Sequence, residues 1–177
     1  NQGYMNTGGQ LSYTTPMGRA TSTSHSGKSF HHKDTVAIMA ATGIPYVFTG
    51  IEGYGTDLIE KAAKAQWYAR NEGLAFGKIL ITCPLNWGSE ERLGQTILQN
   101  AVECCFFPLY EIEHGITKIN YDPETLGKKV GVDVWLKQLG KSKMLLEERN
   151  RPLLNAFQGE VDRRWARLKA MAAHPLL

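Results

Sequence analysis

The distribution of hydrophobic and polar residues predicts regular secondary structure from residue 34 onward. The segment DTVAIMAATG (34–43) starts with a residue type that caps helices and ends at a glycine, which predicts a short helix. The apolar, β-branched segment IPYVFTG (44–50) predicts a buried strand. TDLIEKAAKAQWYARNEG (56–73) carries apolar residues broadly on one side and charges on the other, which predicts an amphipathic helix that ends at a glycine.

The second half of the chain continues this alternation. Its predicted elements are a strand at KILITC (78–83), a helix at SEERLGQTILQNAVECC (89–105) capped by Ser89, strands at FPLYEIEHG (107–115) and ITKINY (116–121) joined at His114-Gly115, and a charged helical tail (145–173) that Pro152 breaks. Residues 1–33, in contrast, are rich in Gly, Ser and Thr and have no helical period. We predict a long loop there, and loops of that length are usually functional or disordered.

The order strand–helix–strand–helix–strand is typical of an α/β domain with a mostly parallel sheet. Ligands of such sheets bind beyond the carboxyl ends of the strands. Two segments follow a predicted strand in this way, namely TGIEGYG (49–55) and CPLNWGSE (83–90). Residues 1–10 would be a third if a strand preceded them. The abrupt start at Asn1, without an initiator methionine, predicts a fragment of a longer protein.

Composition and charge disfavour several classes of partner. The 177 residues are 42% hydrophobic and 21% charged, which is ordinary for a globular domain with a proper core. The net charge of +3 is too small to predict binding to nucleic acid or to a membrane surface. We expect no secretory leader and, without an apolar run of about 18 residues, no membrane helix. Three cysteines, two of them adjacent, form a poor disulfide framework and predict a reducing, cytoplasmic setting.

The opening NQGYMNTGG (1–9) has the chemistry of a magnesium–diphosphate site. Asn1 and Asn6 offer side-chain oxygens, and the glycines allow backbone carbonyls to turn toward a cation. A hard cation such as Mg²⁺ prefers oxygen ligands and is commonly held together with phosphates. The same composition is also that of an ordinary Gly/Asn-rich turn, and spacing alone does not separate the two interpretations.

Cys83 directly follows the predicted strand at KILIT and precedes Pro84. A free cysteine at this position is either a buried structural thiol or a ligand of a metal or cluster. A cluster usually needs four thiolates, so Cys83 would not bind one alone. Cys104 and Cys105 are adjacent on a predicted helix, where they point about 100° apart. We therefore expect them to fill the core.

Two further patterns carry little functional signal. SGKS (26–29) ends like a phosphate-binding P-loop, but the position of its first glycine is occupied by Ser22 and no strand precedes it. We therefore exclude a P-loop nucleotide site. His25, His31 and His32 have side chains that bind zinc. A histidine pair beside charged residues at a helix start is more often solvated surface.

Taken together, several motifs resemble one family over nearly the whole chain: the β subunit of 2-oxoacid:ferredoxin oxidoreductases, most closely the pyruvate branch (pyruvate synthase). The resemblance is carried, in the family's order, by NQGYMNTGGQ, TTPMGRATSTS, GK, HHKD, DTVAIMAATGIPYVFTG, KILITCPLNWG and AVECCFFPLYEIEHG. It implies a three-layer α/β domain that binds thiamine diphosphate, with a mostly parallel sheet and its N-terminal part missing. It also implies a division into residues 1–144, the C-terminal part of that domain, and 145–177, a helical extension.

The resemblance implies a site for thiamine diphosphate and Mg²⁺ in the opening loop. Asn1 and the carbonyl of Gly3 would bind Mg²⁺, with an upstream Asp of a Gly-Asp-Gly motif as the third protein ligand. The cofactor would be lined by Tyr4, Met5, Asn6 and Thr7. Asn6 would be catalytic, because a neutral amide near the thiazolium and the substrate carboxylate stabilises developing negative charge. Cys83 would be one ligand of a [4Fe-4S] cluster whose other cysteines lie upstream.

The resemblance further implies the reaction and the partners. A 2-oxo acid, which the pyruvate-branch resemblance implies to be pyruvate, would be oxidatively decarboxylated or formed in the reverse direction, with coenzyme A taking the acyl group and ferredoxin the electrons. Other subunits, of the aminopyrimidine-binding α and γ types, would complete the site at an interface. The setting would be cytoplasmic and anaerobic, with no nucleic acid and no membrane.

Some interpretations stay open at this point. Arg19 stands where the family pattern leads us to expect a small residue, and it would either bind a substrate carboxylate or face solvent. The Arg- and Trp-bearing tail around Trp165 would either pack against another subunit or form a free amphipathic helix. Alternative functions are the same chemistry on oxalate or phenylglyoxylate, another thiamine enzyme without a cluster, and a non-catalytic α/β interaction subunit.

Overall fold

The computed structural model of the chain describes residues 11–12 and 15–174. Its helices and strands alternate as the sequence predicts. In chain order they are α1 (Thr35–Ala40), β1 (Tyr46–Ile51), α2 (Gly55–Asn71), β2 (Ala75–Leu80), α3 (Pro84–Trp87), α4 (Gly94–Glu103), β3 (Leu109–Glu113), β4 (Ile116–Tyr121), α5 (Val132–Leu136) and α6 (Arg151–Ala173), with 3₁₀ turns at Glu91–Leu93, Gly140–Leu146 and Glu148–Asn150.

The four strands in the described part of the chain form one mixed sheet in the order β2-β1-β3-β4. The predicted α/β class is confirmed. The predicted mostly parallel character holds for one pair, β1 with β2, whereas β1–β3 and β3–β4 are antiparallel. The antiparallel sense of β3–β4 follows from the connection at His114 and Gly115, whose φ angles of 48° and 81° form a two-residue hairpin turn. A connection that short joins only antiparallel strands.

The sheet is covered on both faces, because side chains along β1 alternate between two apolar clusters. Tyr46 and Phe48 face α2, where the rings of Tyr46 and Tyr68 stack with centroids 5.0 Å apart. Val47 and Ile51 face the main core, to which α1, α4, α5 and α6 contribute buried side chains. The three layers of the predicted architecture are therefore present in the described residues.

Several element boundaries differ from the sequence prediction. Ser89 does not cap the helix before Cys104: a 3₁₀ turn intervenes and α4 starts at Gly94. Pro152 does not break a helix but lies in the first turn of α6, where its missing N–H costs nothing. The predicted loop is confirmed over its described part, where Thr21 and Ser24 form the one isolated bridge that the described residues contain.

Helix α6 packs on this chain's own core. Its inward face is fully or nearly buried and comprises Leu154, Phe157, Val161, Trp165 and Leu168. Of the two interpretations left open for the tail, the free amphipathic helix is therefore wrong, since Trp165 is only 2% exposed. Over residues 11–12 and 15–174, none of the helices combines the length and apolarity that crossing a membrane requires.

Candidate functional site

The predicted cofactor residues of the opening loop lie outside the described residues. They are Asn1, Gly3, Tyr4, Met5, Asn6 and Thr7. Their roles in binding thiamine diphosphate and Mg²⁺ stay predictions. The structure does describe most of the segment that follows them. It also describes Cys83 and the contacts that Cys83 and its neighbours make within residues 15–174.

Cys83 begins a compact turn at the carboxyl end of β2, and we call residues 83–88 the Cys83 turn. The residue is half-buried, carries a free thiol and precedes the four-residue helix α3. Its carbonyl accepts a hydrogen bond from the amide of Trp87 at 2.8 Å, and Gly88 ends the turn in the left-handed conformation with φ of 60°. The thiol thus lies at the edge of the sheet where parallel strands end.

The two loops that follow β1 and β2 meet at this edge, as the sequence predicts. The hydroxyl of Thr82 donates to the carboxylate of Glu52 at 3.2 Å, which joins the TGIEGYG loop to the residue before Cys83. Gln95, at the start of α4, lies within 4 Å of the position that a Cβ on Gly53 would occupy. The carboxyl end of the parallel pair is therefore a single continuous region.

Three tertiary contacts fix the Cys83 turn. Trp87 is 2% exposed and packs edge-on against Trp135. The carbonyl of Gly88 accepts from the amide of Gly140 at 3.2 Å. Arg19 donates to the carbonyl of Asn86. These contacts hold Asn86, Trp87 and Gly88 in place, and a turn fixed in this way restricts the position of its first residue, Cys83.

Arg19 is buried, with 3% of its surface exposed. One terminal nitrogen donates to the Ser142 hydroxyl at 2.9 Å and the other to the carbonyl of Asn86. The interpretation that Arg19 faces solvent is therefore wrong. Sequence reasoning noticed this residue but missed the contact, because Asn86 and Ser142 are distant along the chain.

Lys28 is a second buried cation in the same segment. Its ammonium group donates to the backbone carbonyls of Thr15 at 2.7 Å and Ser12 at 3.0 Å, and burial lowers the pKa of Lys28. Backbone pairing of Gly18 and Arg19 with Lys28 closes a short hairpin over residues 18–28. The part of the loop nearest to the predicted cofactor residues is therefore tied to this hairpin.

Cys104 and Cys105 are core residues, as predicted. They are 0% and 2% exposed, and burial raises the pKa of each thiol to about 12. The described residues contain no cluster of three or more His, Cys, Asp or Glu side chains suited to a metal ion. The described part of the chain therefore supplies no complete ligand set, and the role of Cys83 as one ligand of a cluster stays a prediction.

Of the three histidines considered as zinc ligands, His31 and His32 are not solvated surface. The ring of His32 packs against Phe106 with centroids 5.3 Å apart, and that of His31 stacks on Phe157 at 6.4 Å. Arg164 donates to Nε2 of His32 at 3.1 Å and to its carbonyl at 2.7 Å. Burial, and then the charge of Arg164, lower the pKa of His32 to about 3. These contacts attach helix α6 to the long loop.

A buried carboxylate on the α2 side of the sheet escaped sequence analysis. Glu111 is 3% exposed and accepts hydrogen bonds from Tyr46, Lys64, Lys118 and Asn120. The signal was present in the alternation of EIE (111–113), which places both glutamates on one face of β3. Its partners stabilise the packing of α2 on the sheet rather than form part of the strand-end region.

No family model matches the chain. The chain is 39% identical to pyruvate synthase subunit PorB of Methanocaldococcus jannaschii over 153 residues, which cover 84% of this chain and 49% of that protein. It is 34% identical to ketoisovalerate oxidoreductase subunit VorB of Pyrococcus horikoshii over 177 residues, which cover 97% of this chain and 54% of that protein. The identity to PorB of Pyrococcus furiosus is 40% over 136 residues, or 73% and 40% of the two chains.

The chain belongs to the family of 2-oxoacid:ferredoxin oxidoreductase β subunits. It spans about half the length of the curated relatives that it matches. The predicted family is thereby confirmed, and the α/β fold agrees with it.

Proposed function

We propose that this β-subunit chain takes part in the coenzyme A-dependent oxidative decarboxylation of pyruvate to acetyl-coenzyme A and CO₂, or in the reverse reaction. The observation that supports pyruvate is the 39–40% identity to subunits named pyruvate synthase. The cofactors in this proposal are thiamine diphosphate, Mg²⁺ and a [4Fe-4S] cluster. The α- and γ-type subunits, ferredoxin and coenzyme A are the proposed partners, in a cytoplasmic complex.

The opening loop is the proposed binding site for thiamine diphosphate. Asn1 and the carbonyl of Gly3 would bind Mg²⁺, while Asn6 would place its amide donor where negative charge develops. Tyr4, Met5 and Thr7 would line the cofactor. When bound, thiamine diphosphate supplies the electron sink that decarboxylation of a 2-oxo acid needs. We retain residues 1–144 as the proposed cofactor domain and 145–177 as its helical extension.

Cys83 is the proposed cluster ligand. Its position at a strand end, its partial exposure and the rigid turn that begins with it suit a thiolate that must keep one geometry. The other three thiolates would come from outside the described residues. Burial of Cys104 and Cys105 leaves Cys83 as the one thiol in the described part of the chain that a cluster could reach.

A branched 2-oxo acid is the second candidate substrate. The relatives named ketoisovalerate oxidoreductase match over 97% of this chain, a longer alignment than the pyruvate synthase subunits give, although at 33–34% identity. The same chemistry on oxalate or phenylglyoxylate remains a further alternative, as does a non-catalytic interaction subunit.

The proposal is tested on the complete complex purified without oxygen. Reduction of a viologen dye is followed with pyruvate, 2-ketoisovalerate, oxalate and phenylglyoxylate, each with and without coenzyme A. We expect the fastest coenzyme A-dependent reduction with pyruvate. A faster rate with 2-ketoisovalerate would reassign the substrate. No reduction by any acid, in a sample shown to contain thiamine diphosphate and iron, would contradict the enzymatic proposal and favour the interaction subunit.

A further inference from the structure

The hairpin at residues 18–28 is seated directly on the Cys83 turn and on the 3₁₀ turn at Gly140–Leu146. Gly18 has φ of 77°, and a Cβ there would lie 2.2 Å from the side chain of Leu145. The side chain of the next residue, Arg19, donates hydrogen bonds to the carbonyl of Asn86 and to the hydroxyl of Ser142. Gly18 therefore leaves no space for a side chain between the hairpin and Leu145.

Arg19 donates a hydrogen bond to a backbone carbonyl of the Cys83 turn, that of Asn86. Within the turn, the carbonyl of Cys83 accepts from the amide of Trp87, and the carbonyl of Pro84 accepts from that of Ser89. The carbonyl of Asn86 belongs to the last turn of the short helix, where carbonyls lack partners within the helix. The Arg19 guanidinium supplies that partner and adds a positive charge at the negative end of the peptide dipoles.

Both residues that accept hydrogen bonds from Arg19 at these contacts are buried. Asn86 is 8% exposed and Ser142 is 3% exposed, so water does not readily replace the guanidinium. Hydrogen bonds to a charged donor are stronger than neutral ones, and a buried carbonyl left without a donor is costly. The planar fork of arginine reaches two acceptors at once, which the single ammonium group of lysine cannot do with the same geometry.

We infer that Arg19 is a positioning residue for Cys83: it holds the Cys83 turn in the geometry in which the thiolate binds the cluster. The inference rests on the proposed role of Cys83 as a cluster ligand. It also gives Arg19 a function that differs from binding of the substrate carboxylate. The same hairpin holds the carbonyl of Thr15 through Lys28, so the Cys83 turn and the described residues that follow the opening loop in sequence contact one buried hairpin.

The test uses the complete complex, purified without oxygen, and measures the rate of iron release to a chelator and the EPR spectrum of the reduced cluster. The cluster concerned is identified first as the signal that the Cys83→Ser variant loses. Removing a group that orients a metal ligand typically weakens metal binding about 10- to 100-fold, so we expect Arg19→Met to release that iron about tenfold faster or more. We expect a changed EPR line shape as well.

Two variants separate positioning from general loosening. Arg19→Lys keeps one donor and should give an intermediate rate of iron release. Ser142→Ala removes the hydroxyl acceptor while leaving the bond to Asn86, and it should accelerate iron release clearly less than Arg19→Met does, with the wild-type EPR line shape. Arg70→Met, on the exposed face of α2, is the matched control for loss of an arginine. If Arg19→Met fails to assemble, a wild-type rate in Arg19→Lys would still overturn the inference.

The remaining outcomes distinguish this inference from the proposed function. A wild-type rate and spectrum in Arg19→Met, while Cys83→Ser loses its cluster, would overturn the role of Arg19 alone. Equal acceleration in Arg19→Met and Ser142→Ala would also overturn it, since the effect would then be local destabilisation. Full iron content and unchanged signals in Cys83→Ser would instead contradict the ligand role of Cys83, and with it the proposed cluster site.

Discussion

The amide of Gly140 donates to the carbonyl of Gly88 at 3.2 Å, and a Cβ placed on Gly140 would lie 2.5 Å from that oxygen. Two backbone segments distant in sequence therefore touch without any side chain between them. The contact fixes the end of the Cys83 turn and leaves no space for a larger residue.

We predict that Gly140→Ala destabilises the protein by about 1–3 kcal/mol, because the new methyl group must displace backbone rather than a flexible side chain. The matched control is Gly159→Ala in α6, where a Cβ would meet nothing within 4 Å. That variant should be neutral or stabilised by up to about 1 kcal/mol, since alanine favours helices. Denaturant unfolding of both variants checks the pair, and equal stabilities would contradict the close approach.

Truncation of Trp165 should cost far more than truncation of Trp67. Trp165 is 2% exposed in the core, whereas Trp67 is 53% exposed on α2. We expect Trp165→Ala to lower the free energy of unfolding by about 3–5 kcal/mol through the cavity it leaves, and Trp67→Ala to change it by less than about 1 kcal/mol. Chemical denaturation gives both values. A small loss in Trp165→Ala would mean that α6 does not pack on this core.

Stability should fall as the pH drops below about 6.5, because the pKa of His32 is lowered to about 3 in the folded protein. In the unfolded chain His32 is protonated below about pH 6.5, whereas in the folded chain it stays neutral down to about pH 3, so acid favours unfolding. Glu111 adds to the loss only below its unfolded pKa of about 4.5. Burial alone would raise the pKa of Glu111, but hydrogen bonds from Tyr46, Lys118 and Lys64 lower it to about 2.

The measurement for this prediction is the unfolding free energy at several pH values between 7.5 and 5. His32→Gln should flatten the dependence, by at most about 1.4 kcal/mol per pH unit for one proton. His25→Gln, at an exposed position of the loop, is the control for the substitution itself. A wild-type slope in His32→Gln would show that His32 is not held neutral by the fold.

The three cysteines should respond differently to substitution in the complete complex. We expect Cys83→Ser to lose the iron of one cluster, while Cys104→Ala retains all of it because its thiol is buried in the core. In protein stripped of iron, a thiol-alkylating reagent should modify Cys83 before the other two, since it alone of the three is partly exposed. Iron analysis and peptide mapping by mass spectrometry provide the readouts.

Local sequence signals were sufficient to predict most of the fold. The cap at Asp34 is present, with its side chain accepting from the amide of Ala37 at 3.1 Å, and the turn at His114-Gly115 is where the pattern placed it. The pairing of strands was less predictable, since the order of helices and strands along the chain does not determine which strand the β3–β4 hairpin pairs with. β3 pairs with β1 in the antiparallel sense, and no residue of either strand signals that by itself.

The supports of the candidate site were beyond sequence reasoning for a related reason. Cys83 was identified by its place after a strand and by the family motifs around it. The contacts that fix its turn come from Arg19, Gly140 and Trp135, which are separated from it by dozens of residues or more. The sequence does not distinguish a buried arginine from an exposed one. Only the tertiary structure shows that Arg19 donates to the carbonyl of Asn86.

The pairing of β1 also has a consequence for the order of folding. β3 and β4 are joined by two residues, so their hairpin closes at little entropic cost. Pairing of Tyr46 with Glu113, in contrast, closes a loop that contains the edge strand β2 and the helices α2, α3 and α4. We expect the hairpin to form early and the central strand to dock late. The strand end that carries the TGIEGYG loop, and the Cys83 turn beside it, would then acquire their geometry only in the final stage of folding.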